Sequence, residues 1–296
     1  KEEIQSLIDL VPSSAKNDIR FAYDQVYGFA HKQRESMKAF ETELTPGVIL
    51  GQRLVPCQCA GCYIPGGRFA HAASAIMSVA TAKAAGVPFV VACTPPRGDR
   101  INPTVAYALS LSGADVVMAL GGVQAIGTMA FGLFTGKPAD ILVGPGNAYV
   151  AEAKRELFGE IGIDVFAGPT ESLIIADQTA DPMVVAVDLI SQCEHGYDSP
   201  VWLLTDSKKL GEKVIEIMPK VIADLPNPEV AASSWNDYGE VVLCQDREEL
   251  AAMNDDYAAE HVQVIAADLD WYLEHLKNYG SLFLGECCTV TYGDKT

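Results

Sequence analysis

Residues 140–150 (DILVGPGNAYV) and 163–177 (IDVFAGPTESLIIAD) decide the fold. They contain short apolar runs punctuated by glycine, which is the pattern of buried strands. In open α/β sheets, the loops after the carboxyl ends of such strands bind ligands. We therefore expect a ligand site where these strands end.

Strand-like and helical runs alternate on both sides of this stretch. PFVVACTPP and ADVVMALGG are strand-like and flank the helical run TVAYALSLSG. The rhythm restarts with SLIIAD, VWLLTD, EVVLCQD, VQVIAAD and SLFLGE. This alternation predicts an α/β fold of two Rossmann-like, doubly wound domains with mostly parallel sheets, facing across a cleft and preceded by N-terminal helices.

The same alternation of strand-like and helical runs predicts the domain boundaries. We expect residues 1–62 to be helices and strands that pack with the second lobe. Residues 63–169 would form the first Rossmann-like lobe, and residues 170–296 the second.

The composition excludes several classes of protein. The 296 residues carry a net charge of −18, which repels phosphate backbones and argues against nucleic-acid binding. No apolar run is long enough to cross a bilayer, and no signal peptide is recognisable. Eight cysteines in such a chain predict reduced thiols and a cytoplasmic protein. In the cluster Cys57, Cys59 and Cys62, we favour small buried thiols over a metal site.

A predicted helix ends in Gln192-Cys193-Glu194-His195. Residues three apart share one helix face, so Gln192 and His195 lie together. An amide oxygen and an imidazole nitrogen would suit zinc if other ligands joined them. On spacing alone, however, a polar last turn of the helix is the favoured interpretation.

Two further segments could carry chemistry. Glu260-His261 enters the strand-like run VQVIAAD, where an acid and an imidazole can do general acid–base work. A solvated helix end explains the pair equally well. Gly144-Pro145-Gly146-Asn147 precedes a helix whose first N–H groups favour an anion such as a cofactor pyrophosphate. It is not the dinucleotide fingerprint, and alone it is a weak signal.

Taken together, the segments resemble the histidinol dehydrogenase family. They occur in the family's order and cover nearly the whole chain. The matching stretches are 63–67 (YIPGG), 121–126 (GGVQAI), 143–147 (VGPGN), 167–171 (AGPTE), 192–195 (QCEH), 260–261 (EH) and 293–294 (GD).

The resemblance implies a zinc-dependent enzyme that oxidises a primary alcohol to a carboxylate with two NAD molecules. It implies that Gln192, His195 and Asp294 are zinc ligands beside the substrate. By the same resemblance, Glu260 activates water for attack on the aldehyde, and His261 exchanges the alcohol proton.

The resemblance also implies the residues that line the two organic ligands. Tyr63, Gln124 and Asn147 would lie along NAD, and Thr170, a serine in the usual motif, would lie beside the substrate.

The substrate depends on Lys295, which replaces the usual aromatic residue after the zinc aspartate. An added cation suits an anionic substrate. This resembles the branch of the family that oxidises 2,3-dihydroxypropane-1-sulfonate to 3-sulfolactate. Histidinol is the alternative substrate.

The family's carboxyl-terminal tail does not occur in this sequence. In the family, that tail crosses to the partner subunit and supplies a further zinc ligand. The resemblance therefore implies a homodimer whose partner subunit completes the zinc site.

Two other classes of function remain open from the residues. One is a two-lobed α/β protein that binds a small ligand without reacting it, and Glu260-His261 argues against it. The other is a zinc-dependent hydrolase, which would use no nicotinamide.

Overall fold

The computed structural model describes residues 2–66, 70–165 and 169–290. They form two compact units, one up to residue 165 and one from residue 169. The break falls beside the predicted boundary after residue 169. Within the described ranges, no helix combines the length and apolar character that a membrane crossing would need.

The first unit contains a parallel sheet, its flanking helices and an antiparallel hairpin. Its elements are α1 (Glu2–Ile8), α2 (Ser13–Ser36), β1 (Phe40–Thr45), β2 (Val48–Gln52), β3 (Cys59–Tyr63), α3 (Ala72–Ala84), β4 (Phe89–Thr94), α4 (Pro103–Ser112), β5 (Val116–Ala119), α5 (Gly122–Ala130), β6 (Ile141–Val143), α6 (Ala148–Leu157) and β7 (Gly162–Ile163). The sheet has the strand order β5-β4-β3-β6-β7, and β1 pairs with β2 in the hairpin.

Strand β3 is the centre of this sheet and is buried along its whole length. Side chains alternate between the faces of a strand, so Cys59 and Cys62 point to opposite faces. They belong to different apolar cores accordingly. Burial also raises the pKa of the Cys62 thiol. Cys59 and Cys62 are thus small buried thiols, as predicted, whereas Cys57, for which the same was predicted, is exposed.

The N-terminal helices pack on the first unit. Helix α2 buries Ile19 and Val26 in the same core as Ile76 and Val90. It contacts α3 and α4, and α1 contacts α4. This corrects the prediction that residues 1–62 pack with the second lobe. The physical reason is that β3 begins inside this range and joins the segment to the first sheet.

The second unit repeats the arrangement. Its elements are β8 (Ser172–Ala176), α7 (Pro182–Cys193), β9 (Val201–Thr205), α8 (Lys208–Ala223), α9 (Pro228–Tyr238), β10 (Gly239–Leu243), α10 (Arg247–Tyr257), β11 (His261–Ile265), α11 (Leu269–His275) and β12 (Ser281–Leu284). The strand order is β10-β9-β8-β11-β12, and every neighbouring pair is parallel. The predicted α/β class, parallel sheets and N-terminal helices are confirmed. The cleft between the lobes stays a prediction.

Each sheet has one point where successive strands turn to opposite sides, between β3 and β6 and between β8 and β11. Ligands of open α/β sheets bind at the carboxyl ends of such a strand pair. In the second unit, Asp177 follows β8 and accepts hydrogen bonds there from the N–H groups of Thr179 and Ala267, each at 2.8 Å. The Asp177 side chain therefore links the loop after β8 to the loop after β11.

Candidate active site

The predicted cofactor residues reach the carboxyl edge of the first sheet from three elements. Tyr63 is the last residue of β3, Gln124 lies in the first turn of α5, and Asn147 is the N-cap of α6. The Tyr63 hydroxyl accepts a hydrogen bond from the N–H group of Gly122 at 3.1 Å, which ties β3 to the start of α5. Gln124 and Asn147 are exposed, so a ligand at this edge can reach both.

The loop between β6 and α6 packs closely on the end of β3. Gly144 has a φ of +113°, and a Cβ there would overlap the carbonyl oxygen of Tyr63. The side-chain oxygen of Asn147 accepts hydrogen bonds from the N–H groups of Tyr149 and Val150, both at 3.1 Å. A backbone loop at a helix N-terminus fits the pyrophosphate of a dinucleotide such as NAD.

Lys154 and Asp164 hold this loop, and the sequence interpretation missed both. Lys154 is on α6 and is only 4% exposed. It forms an ion pair with Asp164 and donates to the carbonyl oxygen of Gly144 at 3.0 Å. The spacing along the sequence could have identified Lys154. A lysine four residues after Val150 and three before Leu157 lies on the apolar face of its helix.

The predicted zinc ligands Gln192 and His195 lie at the opposite edge of their sheet. Helix α7 runs back from the carboxyl end of β8, so its last turn reaches the amino end of that strand. There the hydroxyl of Ser172 donates to Oε1 of Gln192 at 3.3 Å. Gln192 is buried, and His195 is exposed just after the helix.

Glu260 and His261 lie at this same amino edge. His261 is the first residue of β11 and pairs in register with Ser172 of β8. Glu260 is exposed immediately before the strand. Ser172 therefore lies beside both Gln192 and His261, and Thr170 precedes it by two residues.

The candidate residues of the second unit lie at a different edge of the sheet from the one that the apolar runs predicted. We expected a ligand site at the carboxyl ends of the strands, and in the first unit these ends carry Tyr63, Gln124 and Asn147. In the second unit, the candidate residues lie at the amino ends of β8 and β11 instead. The physical reason is that Gln192 lies in the last turn of a helix antiparallel to β8 and His195 follows that helix, while Glu260 precedes its strand.

A buried polar pair lies below these residues. Gln263 is two positions after His261, so both side chains point to the same face of the sheet. Its Nε2 donates to a carboxylate oxygen of Asp188 at 2.8 Å. Asp188 is one helical turn before Gln192 on α7. Burial raises the pKa of the Asp188 carboxyl, and the hydrogen bond from Gln263 opposes that rise.

Gln192 and His195 fit a zinc ion as part of its ligand set. They offer the oxygen and nitrogen atoms that zinc accepts, and in the described structure the Gln192 oxygen is held by a neutral hydroxyl. Within the described ranges, no three histidine, cysteine or acidic side chains group closely enough to hold a metal by themselves. Asp294, predicted as a ligand, and Lys295, predicted to contact the substrate, lie outside the described residues.

Known proteins match this chain over almost its full length. The sequence profile named histidinol dehydrogenase matches residues 1–296. Sulfopropanediol 3-dehydrogenase of Ruegeria pomeroyi is 58% identical over 297 residues, which cover 99% of this chain and 68% of that protein. Histidinol dehydrogenase of Rhizobium meliloti is 37% identical over 292 residues, which cover 99% of this chain and 67% of that protein.

A solved structure supports the same relationship. The crystal structure of histidinol dehydrogenase from Elizabethkingia anophelis matches with a TM-score of 0.94 at 34% sequence identity. The match covers 99% of this chain and 68% of that one. The resemblance inferred from the motifs is confirmed, as is the prediction of a dehydrogenase acting on CH–OH groups. The chain belongs to the histidinol dehydrogenase family.

Proposed function

We propose that this chain carries out the zinc- and NAD-dependent oxidation of a primary alcohol to a carboxylate through a bound aldehyde. The observation that carries the proposal is the position of Gln192, Glu260 and His261 at one strand edge, with Ser172 between the first and the last. The proposed zinc ligand Gln192 would thus lie near an acid–base pair, a combination that alcohol oxidation needs.

The substrate we favour is 2,3-dihydroxypropane-1-sulfonate, which would be oxidised to 3-sulfolactate. Identity to the sulfopropanediol relative, 58%, is well above the 37% to the histidinol dehydrogenase of Rhizobium meliloti. Lys295 would supply the positive charge that a sulfonate requires. The alternative is oxidation of L-histidinol to L-histidine.

The side chains divide the work between two oxidation steps. In the first, His261 would accept the alcohol proton as the alcohol carbon gives up a hydride, for which NAD+ would be the acceptor; the product is the aldehyde. In the second, Glu260 would accept a proton from water as the water adds to the aldehyde, and a second NAD+ would take the second hydride. One alcohol, one water and two NAD+ thus become one carboxylate, two NADH and three protons. Thr170 contacts the substrate.

Two sets of residues would hold the cofactors. Gln192, His195 and Asp294 would hold zinc, which when bound makes the substrate hydroxyl more acidic. Tyr63, Gln124 and Asn147 would line NAD, with its pyrophosphate at the start of α6.

We extend the proposal to the assembly and the compartment. The protein would be a homodimer in which the partner subunit completes the zinc site. The reducing cytoplasm suits the eight cysteines, which are all free thiols.

NADH absorbance tests the reaction and the substrate together. The whole protein is mixed with zinc, NAD+ and one alcohol, and NADH formed per alcohol consumed is measured. We expect two NADH for each 2,3-dihydroxypropane-1-sulfonate. Turnover of L-histidinol alone would overturn the preferred substrate. A flat trace with both alcohols would instead favour a zinc-dependent hydrolase or a binding protein.

A further inference from the structure

Lys154 is an unusual residue for its position on α6. Its neighbours on the inner face of the helix are Val150 and Leu157, and Lys154 itself is only 4% exposed. A buried ammonium group is costly unless it is paired and hydrogen-bonded. Its partners therefore show what the lysine does.

These partners form a closed ring with one residue of the loop before α6. Lys154 pairs with one oxygen of Asp164 and donates to the carbonyl oxygen of Gly144 at 3.0 Å. The other oxygen of Asp164 accepts the N–H group of Gly144 at 2.7 Å. Both polar backbone groups of Gly144 are thus engaged by one ion pair. We call this ring of Lys154, Asp164 and Gly144 the lysine clamp.

The lysine clamp acts on a loop with little freedom of its own. Gly144 has a positive φ, and its α-carbon lies against the carbonyl group of Tyr63. At the other end of the loop, Asn147 caps α6. Fixing a loop before binding removes the ordering cost that a ligand would otherwise meet.

A second lysine offers a matched comparison in the same unit. Lys83 pairs with Asp115 at 2.6 Å and donates to the carbonyl oxygen of Pro88 at 3.3 Å. Asp115 accepts the N–H group of Val90 at 2.8 Å. As in the lysine clamp, an ion pair engages backbone groups, here those of Pro88 and Val90, but this pair lies at the amino edge of the sheet, away from the predicted cofactor residues.

We propose that Lys154 is a positioning residue, which with Asp164 holds residues 144–147 in the conformation that receives the cofactor pyrophosphate. This inference rests on the proposed use of NAD. It predicts that loss of the lysine weakens dinucleotide binding without removing any group that touches the cofactor.

The test compares K154M with K83M in the whole protein. Titration calorimetry measures the Kd for NAD+, and thermal unfolding measures stability. Hydrogen exchange of residues 141–150 reports on the loop without cofactor. We expect K154M to raise the Kd about tenfold, as when the binding-competent loop falls to a tenth of its population. Exchange at Gly144 should quicken, K154R should recover part of the affinity, and K83M should leave the Kd unchanged.

The outcomes distinguish failure of the lysine-clamp inference from failure of the proposed function. Wild-type affinity in a folded K154M, or an equal loss of affinity in K83M, overturns the inference. If K154M does not fold, D164N is titrated instead and should also bind NAD+ more weakly. If the wild-type protein binds no NAD+, the proposed function fails. Exchange at Gly144 then decides alone whether Lys154 holds the loop.

Discussion

Glu260 and His261 are adjacent in sequence but have different surroundings. His261 begins β11 and is partly buried beside Ser172, whereas Glu260 is exposed before the strand. An exposed carboxylate has ready access to water, whereas a partly buried imidazole would lie nearer the alcohol that the proposed zinc site would hold. The two environments fit the separate roles that we propose for the residues.

Replacing these residues should separate the two oxidation steps. An amide cannot accept a proton from water, so E260Q should slow aldehyde oxidation by about 10²–10⁴-fold while alcohol oxidation continues. Single-turnover measurements should then give about one NADH per alcohol in place of two. H261N should instead slow the alcohol step and spare oxidation of added aldehyde. Two NADH per alcohol at the wild-type rate in E260Q would contradict these roles.

Asp188 should make stability depend on pH. Its pKa is raised in the folded protein, so its favourable contribution is present below the unfolded pKa and is lost as pH rises through the folded pKa. D188N carries no charge at any pH. The free energy of unfolding of D188N minus that of wild type should therefore increase as the pH rises above about 4, the ordinary pKa of an aspartate. Urea unfolding at several pH values measures it, and a constant or falling difference would refute it.

At the scale of elements, capping residues in the sequence predicted where helices start and end better than the apolar pattern did. Asp181-Pro182 indicates a helix start, and Asp181 does cap α7 by accepting the N–H group of Met183. Gly113 ends α4 in the left-handed conformation, as expected at a helix end. In contrast, the amphipathic run of residues 18–40 indicates a helix as far as Phe40, but α2 stops at Ser36 and Phe40 begins β1. Pairing with β2 overrides the helical pattern there.

Two asparagine caps should separate helix stability from cofactor binding. N147A removes the cap of α6, and N102A removes the cap of α4, whose oxygen accepts the N–H group of Thr104 at 2.9 Å. Each should lower the free energy of unfolding by about 1 kcal/mol. Only N147A should also raise the Kd for NAD+, since Asn147 lies at the cofactor edge. An equal rise with N102A would show that the effect is merely structural.

At the scale of the whole molecule, composition and the alternation of strand-like and helical runs were sufficient to predict the fold class. They did not predict how the N-terminal helices pack or in which order the strands lie. The association of α2 with the first sheet depends on where β3 inserts, and strand order is a long-range property. The amino-edge position of Gln192 and His261 likewise follows from helix direction and register. Apolar runs indicate that a strand exists, but they do not show which of its ends carries the chemistry.

The two ligands should protect different units from hydrogen exchange. NAD+ should slow exchange in residues 61–66, 121–126 and 144–150 of the first unit. Zinc should slow it in residues 189–195 and 260–263 of the second, because binding suppresses local opening near its site. Mass spectrometry of peptides after each addition measures both. Protection by zinc confined to the first unit would contradict the assignment of Gln192 and His195.

The bridge made by Asp177 has a practical consequence for experiments on the protein. It closes the switch point of the second sheet at the edge away from Glu260 and His261. A fluorophore or affinity handle attached along the loops of that edge would sit at the far ends of the strands from the proposed chemistry. We therefore expect a label at that edge to leave Glu260 and His261 unchanged, and NADH formation by the labelled protein would check this.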